Sequence, residues 1–121
     1  MAKKHALIVE DNKEIGHIYA MTLDMVDYET KHVIDGKIAL EYLNTGVTPD
    51  LIVLDMNLPQ VSGHYVYKTI RADRRFDGTV VIIATANTVV ARALANDLAP
   101  TDQILVKPVS ARQLRDIAAE L

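Results

Sequence analysis

A chain of 121 residues, 50% hydrophobic and 24% charged, has the length of one domain and enough apolar material for a core. A net charge of −3 and a pI near 5.7 argue against a protein that grips a phosphate backbone, and 5% aromatic residues argue against a platform for stacked bases. With no cysteine there is no disulfide framework and no thiolate chemistry.

The start, Met1-Ala2-Lys3-Lys4, is basic, but only Ala6-Leu7-Ile8-Val9 follow before Glu10. That run is too short for a signal-peptide core or a membrane span, so a cytoplasmic protein with no membrane partner is expected. Ala6-Leu7-Ile8-Val9 reads as a buried strand ending in Glu10-Asp11-Asn12. Ile15, Ile18, Tyr19, Thr22, Leu23 and Val26 then recur at helical spacing, with Asn12 placed to cap the helix. Tyr28 to Val33 alternates charged and uncharged residues, as an edge strand does. Asp35 can cap a second helix with Gly36, Ala39, Leu40 and Leu43 inward, ended by Thr45-Gly46.

Asp50-Leu51-Ile52-Val53-Leu54-Asp55 has no polar break between its acidic ends, which suits a strand covered on both faces. A loop from Pro59 to Gly63 leads to a helix with Val66, Tyr67 and Ile70 inward, ending near Asp77-Gly78. Val80 to Ala84 is another apolar strand, stopping at Thr85. Residues 88 to 98 predict an Ala-rich helix. Ile104-Leu105-Val106 is the last strand and stops at Lys107-Pro108. Ser110 with Gln113 has the pattern of a capping box, and Leu114, Ile117, Ala118 and Leu121 line the closing helix.

Strand and helix thus alternate five times over residues 1–121, without a linker or repeat. The fold class is α/β: a doubly wound, five-stranded parallel sheet with helices on both faces. The flavodoxin-like order 2-1-3-4-5 fits best, because the charged second strand belongs at an edge. Ligands of such sheets gather beyond the carboxyl ends of the strands. Glu10, Asp11, Asp55, Thr85 and Lys107 all fall at that rim. Taken singly, Lys107 reads as a solvated lysine and Thr85 as an ordinary strand-end residue. Two like charges ~4 Å apart repel by roughly 1 kcal/mol in water and about 4 kcal/mol at an effective dielectric of 20, so converging carboxylates call for a cation. Oxygen ligands without His or Cys suit Mg²⁺ or Mn²⁺, and a phosphoryl group on Asp55 would bind both metal and lysine. The histidines His5, His17, His32 and His64 show no metal spacing, and Arg71, Arg74 and Arg75 read as the solvated end of a helix.

From Lys4 to Leu121 the sequence resembles a response regulator receiver domain of two-component signalling, of the chemotaxis-regulator kind. The resemblance is carried by Glu10-Asp11, by Leu54-Asp55-Met56-Asn57-Leu58-Pro59 with Gly63, by Thr85-Ala86 and by Lys107-Pro108. It implies that Asp55 accepts a phosphoryl group from a phosphohistidine of a sensor histidine kinase or histidine phosphotransfer protein. It also implies Mg²⁺ held by Asp11, Asp55 and the backbone carbonyl of Asn57, with Glu10 acting through water. Lys107 would pair with a phosphoryl oxygen, Thr85 would swing its hydroxyl onto the group with Ala86 following, and Lys107-Pro108 would be a cis peptide. The output would be a protein target docking on the fourth helix, fifth strand and fifth helix, without direct nucleic-acid binding. Such a domain is not an enzyme beyond its own phosphorylation and dephosphorylation.

Two features depart from the family pattern. Ile104 stands where the family carries Tyr or Phe, and Ala99-Pro100-Thr101-Asp102 replaces its usual Gly-containing turn. Both put the aromatic switch in question and leave the phosphorylation chemistry intact. Three other readings are weaker. A hydrolase of the haloacid dehalogenase type wants an Asp where Asn57 stands. A flavodoxin-like electron carrier wants a Ser/Thr/Gly loop where Glu10-Asp11-Asn12 stands. A receiver-like domain that signals without phosphorylation tends to lose part of an acidic and lysine set that is complete here.

Overall fold

The apolar runs become strands, and the capped periodic segments between them become helices. The computed structural model describes residues 3–121; Met1 and Ala2 of the basic start lie outside the described residues. In chain order the elements are β1 (Lys4–Val9), α1 (Lys13–Asp24), β2 (Tyr28–Val33), α2 (Gly36–Leu43), β3 (Leu51–Asp55), α3 (Gly63–Ala72), a 3₁₀ turn (Arg74–Phe76), β4 (Val80–Thr85), α4 (Thr88–Ala95), β5 (Gln103–Val106) and α5 (Ala111–Ala119). The strands are all parallel in the order β2-β1-β3-β4-β5, as expected, with charged β2 at an edge.

Side chains alternate across the pleat and feed two cores. Leu7, Val9, Ile52, Leu54, Val81 and Ile83 meet Ala39 and Leu43 of α2 and Val66, Tyr67 and Ile70 of α3. Ala6, Ile8, Leu51, Val53 and Ile82 meet Tyr19 and Leu23 of α1 and Leu114 and Ala118 of α5. Each fully buried Leu, Ile or Val contributes roughly 1.5–3 kcal/mol. Hence the central strands read as unbroken apolar runs.

The caps form as their residues dictate. Asn12 Oδ1 accepts from Ile15 N at 3.0 Å, Asp35 Oδ1 from Ile38 N at 2.8 Å, and Ser110 Oγ from Gln113 N at 3.0 Å. A cap of this kind contributes about 1 kcal/mol. Gly46, φ 97°, closes the turn after α2. No helix of the described residues is long and apolar enough to cross a membrane.

Five local expectations need correction. The third helix stops at Ala72, because Asp73 turns extended and its carboxylate caps Arg75 N at 3.0 Å, starting the 3₁₀ turn. The fourth helix ends at Ala95 rather than at residue 98: Asp97 N closes a turn onto Leu94 O at 2.9 Å. Ile18 is 52% exposed and Leu121 37% exposed, so neither belongs to the inner stripe assigned to it. Arg74 and Arg75 are solvated as expected, but Arg71 turns inward and pairs with Asp102 at 3.0 Å.

Candidate functional site

The register sets the site. Val9 lies beside Leu54, Asp55 beside Ala84, and Thr85 beside Val106. The ladders run one residue past the strands, through Glu10 N to Val33 O at 3.1 Å and Lys107 N to Thr85 O at 2.8 Å. Parallel strands all end on one rim, so Glu10, Asp55, Thr85 and Lys107 face the same space.

Carboxylate oxygens of Glu10, Asp11 and Asp55 lie within 4.8 Å of one another. Glu10 and Asp55 are buried and Asp11 is exposed. Lys107 Nζ reaches into them, 2.8 Å from Glu10 Oε1 and 3.3 Å from Asp55 Oδ2. Backbone amides hold the other oxygens: Asn12 N donates to Glu10 Oε2 and Asn57 N to Asp55 Oδ1, both at 3.1 Å. Burial pushes the Glu10 carboxyl above its usual range, against the Lys107 hydrogen bond and the Asn12 amide. Burial works against the Lys107 charge too, but the bond to Glu10 and the charges of Asp55 and Glu10 outweigh it and raise its pKa. The ammonium is therefore the counter-ion of two buried carboxylates, not the solvated lysine that the residue suggests when taken singly.

Thr85 is buried, and its Oγ1 accepts from Asn87 N at 3.1 Å, tying the hydroxyl to the start of α4. Asn57 is exposed at the mouth of the site. Ala86 lies on an open groove of about 460 Å³ with Ile15, Ile18, Tyr19, Lys107, Pro108 and Val109, which accounts for the exposed Ile18. Ile104 is half-buried and packs against the core on the α2 and α3 face. The Lys107-Pro108 bond is cis.

Sequence reasoning assigned His32 nothing. Its Nε2 lies 2.8 Å from Glu10 O, and its ring fills the space where a side chain at Gly16 would stand. It braces the peptide that carries Glu10, and no spacing signal marks it. Gly63 packs its backbone against the peptide of Asp55, with Gly63 N bonded to Met56 O at 3.2 Å.

The donor set is three carboxylates without His or Cys, which fits a hard divalent cation such as Mg²⁺ or Mn²⁺. The family model of the response regulator receiver domain matches residues 6–119. The chain belongs to the response regulator receiver domain family. Receiver-domain membership displaces the hydrolase and electron-carrier readings. Among curated relatives, the DNA-binding dual master transcriptional regulator RpaA of Synechocystis sp. is 30% identical over 108 residues, covering 89% of this chain and 44% of RpaA. Hybrid signal transduction histidine kinase D of Dictyostelium discoideum is 34% identical over 84 residues, covering 69% of this chain and 5% of the kinase. Among solved structures, the bacteriophytochrome response regulator RtBRR superposes with a TM-score of 0.83 at 27% identity, over 100% of this chain and 78% of that one. The chain spans less than half the length of the first curated relatives it matches.

Proposed function

We propose that this receiver domain takes a phosphoryl group onto Asp55 from a phosphohistidine and thereby alters a protein-docking surface. One observation carries the reading: a buried aspartate at the end of the central strand has an ammonium 3.3 Å from Oδ2 and two further carboxylates beside it. In the transfer, Asp55 Oδ2 forms a bond to phosphorus, the bond from phosphorus to the imidazole nitrogen breaks, and the released imidazole takes up a proton.

The roles follow from position. Asp11, Asp55 and the backbone carbonyl of Asn57, with Glu10 through water, would hold Mg²⁺, for which Mn²⁺ could substitute. Bound there, the cation would offset the charge that develops on the transferred group and orient it in line. Asn57 N–H keeps Oδ1 engaged at 3.1 Å and leaves Oδ2 as the attacking oxygen. Lys107 exchanges part of its bonding to Glu10 and Asp55 for a phosphoryl oxygen. Thr85 rotates its hydroxyl from the Asn87 amide toward the same group. The chain turns over no other substrate. Its partners are a cytoplasmic sensor histidine kinase or histidine phosphotransfer protein and a target that docks on α4, β5 and α5.

The test is incubation with acetyl phosphate and Mg²⁺, followed by intact mass. One phosphoryl mass is expected on the wild type and none on Asp55→Asn. Retained labelling in that variant moves the acceptor elsewhere.

A further inference from the structure

Asp102 precedes β5 at the rim opposite Asp55. Its carboxylate is wholly buried, a costly place for a charge unless fully paired. It is fully paired. Tyr67 Oη donates to Oδ2 at 2.6 Å, Arg71 Nε to Oδ2 at 3.0 Å, Arg71 Nη2 to Oδ1 at 3.1 Å and Val81 N to Oδ1 at 2.8 Å. Arg71 also donates from Nη1 to Phe76 O at 2.9 Å and from Nη2 to Thr79 O at 2.6 Å. The Tyr67 hydroxyl also accepts from Ala99 N at 3.0 Å, just past α4. Burial, helped by the bond to Asp102, raises the Tyr67 pKa, so the hydroxyl remains a donor. Two residues of α3 thus hold the end of the α4–β5 connection and the start of β4 in one network.

Between its ends α4 is loosely held. Leu94 is its one buried side chain, and Val89 is 72% exposed. At its start, Asn87 N donates to Thr85 Oγ1 at 3.1 Å, and Asn87 Oδ1 caps Val89 and Val90 at 3.0 and 3.1 Å. The helix is therefore tied at its start to the acceptor site, and the connection that follows it is tied to α3 at Ala99. At 1.5 Å per residue the ties are separated by roughly 12 Å of helix.

We propose that Tyr67, Arg71 and Asp102 form the fulcrum of α4: when Thr85 leaves the Asn87 amide for a phosphoryl group on Asp55, the first turn of α4 moves while the connection that follows the helix, held at Ala99, stays fixed to α3. The proposal rests on phosphorylation at Asp55. It assigns Ile104, which follows Asp102 by two residues, to the fixed part, so output would pass through the near half of α4 without an aromatic switch.

The test is amide shift mapping with beryllofluoride and Mg²⁺, the acyl-phosphate mimic, with the adduct followed by its own fluorine resonance. In the wild type, large shifts should cover residues 85–91 and fade by 96–102. In Tyr67→Phe the adduct should still form, the shifts should extend through 96–102, and the Ala99 amide should exchange roughly tenfold faster. Arg71→Lys keeps the charge but loses the forked geometry; it should extend the shifts likewise, and it serves if Tyr67→Phe does not fold. Wild-type shifts at 96–102 as large as those at 85–91 would overturn the fulcrum, as would unchanged maps in both variants. Absence of the fluorine adduct would overturn the acceptor reading, and the fulcrum with it.

Discussion

Glu10 and Lys107, 97 residues apart in sequence, close an ion pair at 2.8 Å beneath the carboxylate of Asp55. Glu10 is 1% exposed, so its charge depends on this partner and on the Asn12 amide. The same ammonium stands 3.3 Å from Asp55. Lys107 therefore has a structural task before any phosphoryl group arrives, and that task can be separated from its role in the chemistry.

Lys107→Met should destabilise the fold, because it strands two buried carboxylates, Glu10 and Asp55, beside Asp11. Breaking a fully buried pair costs roughly 3–5 kcal/mol; with the Lys107 side chain 21% exposed, a loss near the lower end is expected. Adding Glu10→Gln to this variant should restore part of it, since one of the two stranded charges, the one in the shorter contact, is gone. Urea midpoints of the four proteins in this cycle check the point. A Lys107→Met loss that Glu10→Gln does not reduce would mean the pair is not its source.

The same pair sets an alkaline limit. The pKa of Lys107 is raised above the ordinary 10.5, the bond to Glu10 and the neighbouring charges prevailing over burial. A base held more tightly to its proton in the folded state contributes stability that is fully present below the unfolded pKa. That contribution is lost as pH rises through the folded value. Wild type minus Lys107→Met should therefore be flat in stability from neutral pH to about 10 and shrink above 10.5. A difference that shrinks already between pH 7 and 9 would contradict a raised lysine.

Asp11 is exposed, and its removal leaves no buried partner stranded. In EDTA, Asp11→Ala should match or exceed the wild type, by up to about 1 kcal/mol, since one of three close carboxylates is gone. With Mg²⁺ at a hundredfold its dissociation constant the wild type should gain about 2.7 kcal/mol, and the variant should lose that gain. Thermal melts in both buffers decide it: an equal Mg²⁺-dependent rise in the two proteins would remove Asp11 from the ligand set.

Much of the fold was legible because both faces of the central strands are covered. That condition demands unbroken runs such as Leu51-Ile52-Val53-Leu54, and parallel strands then bring their polar ends to one rim. Glu10, Asp55, Thr85 and Lys107 could be placed together on this argument alone. The Arg71–Asp102 network could not. Its partners are 31 residues apart, on a helix and a connection, and charged residues there read as solvated until packing is known. Ile18 misled for a related reason. Helical spacing names a face, but whether a neighbour covers it depends on the groove formed with Ala86, Pro108 and Val109. The early end of α3 turned on the extended backbone of Asp73, which carries no Gly or Pro signal.

Gly63 connects the acceptor to α3 through backbone alone. A Cβ there would stand 2.3 Å from Asp55 O and 2.7 Å from Met56 Cα, and neither atom can swing aside as a side chain could. Gly63→Ala must push α3 outward or tilt the peptide after Asp55, disturbing the Asn57 amide that holds Asp55 Oδ1 at 3.1 Å. Overpacking of this kind costs roughly 1–3 kcal/mol. The variant should therefore lose stability in that range and also take label from acetyl phosphate more slowly than the wild type. Gly78→Ala is the control, since a Cβ there meets nothing within 4 Å and the backbone is not left-handed. It should be neutral or more stable by about 0.4–1 kcal/mol, through a less free unfolded chain. Urea unfolding and the rate of mass gain, measured on both variants, separate the effects. Wild-type stability and labelling in Gly63→Ala would show that the close approach to Asp55 has no role in setting the acceptor.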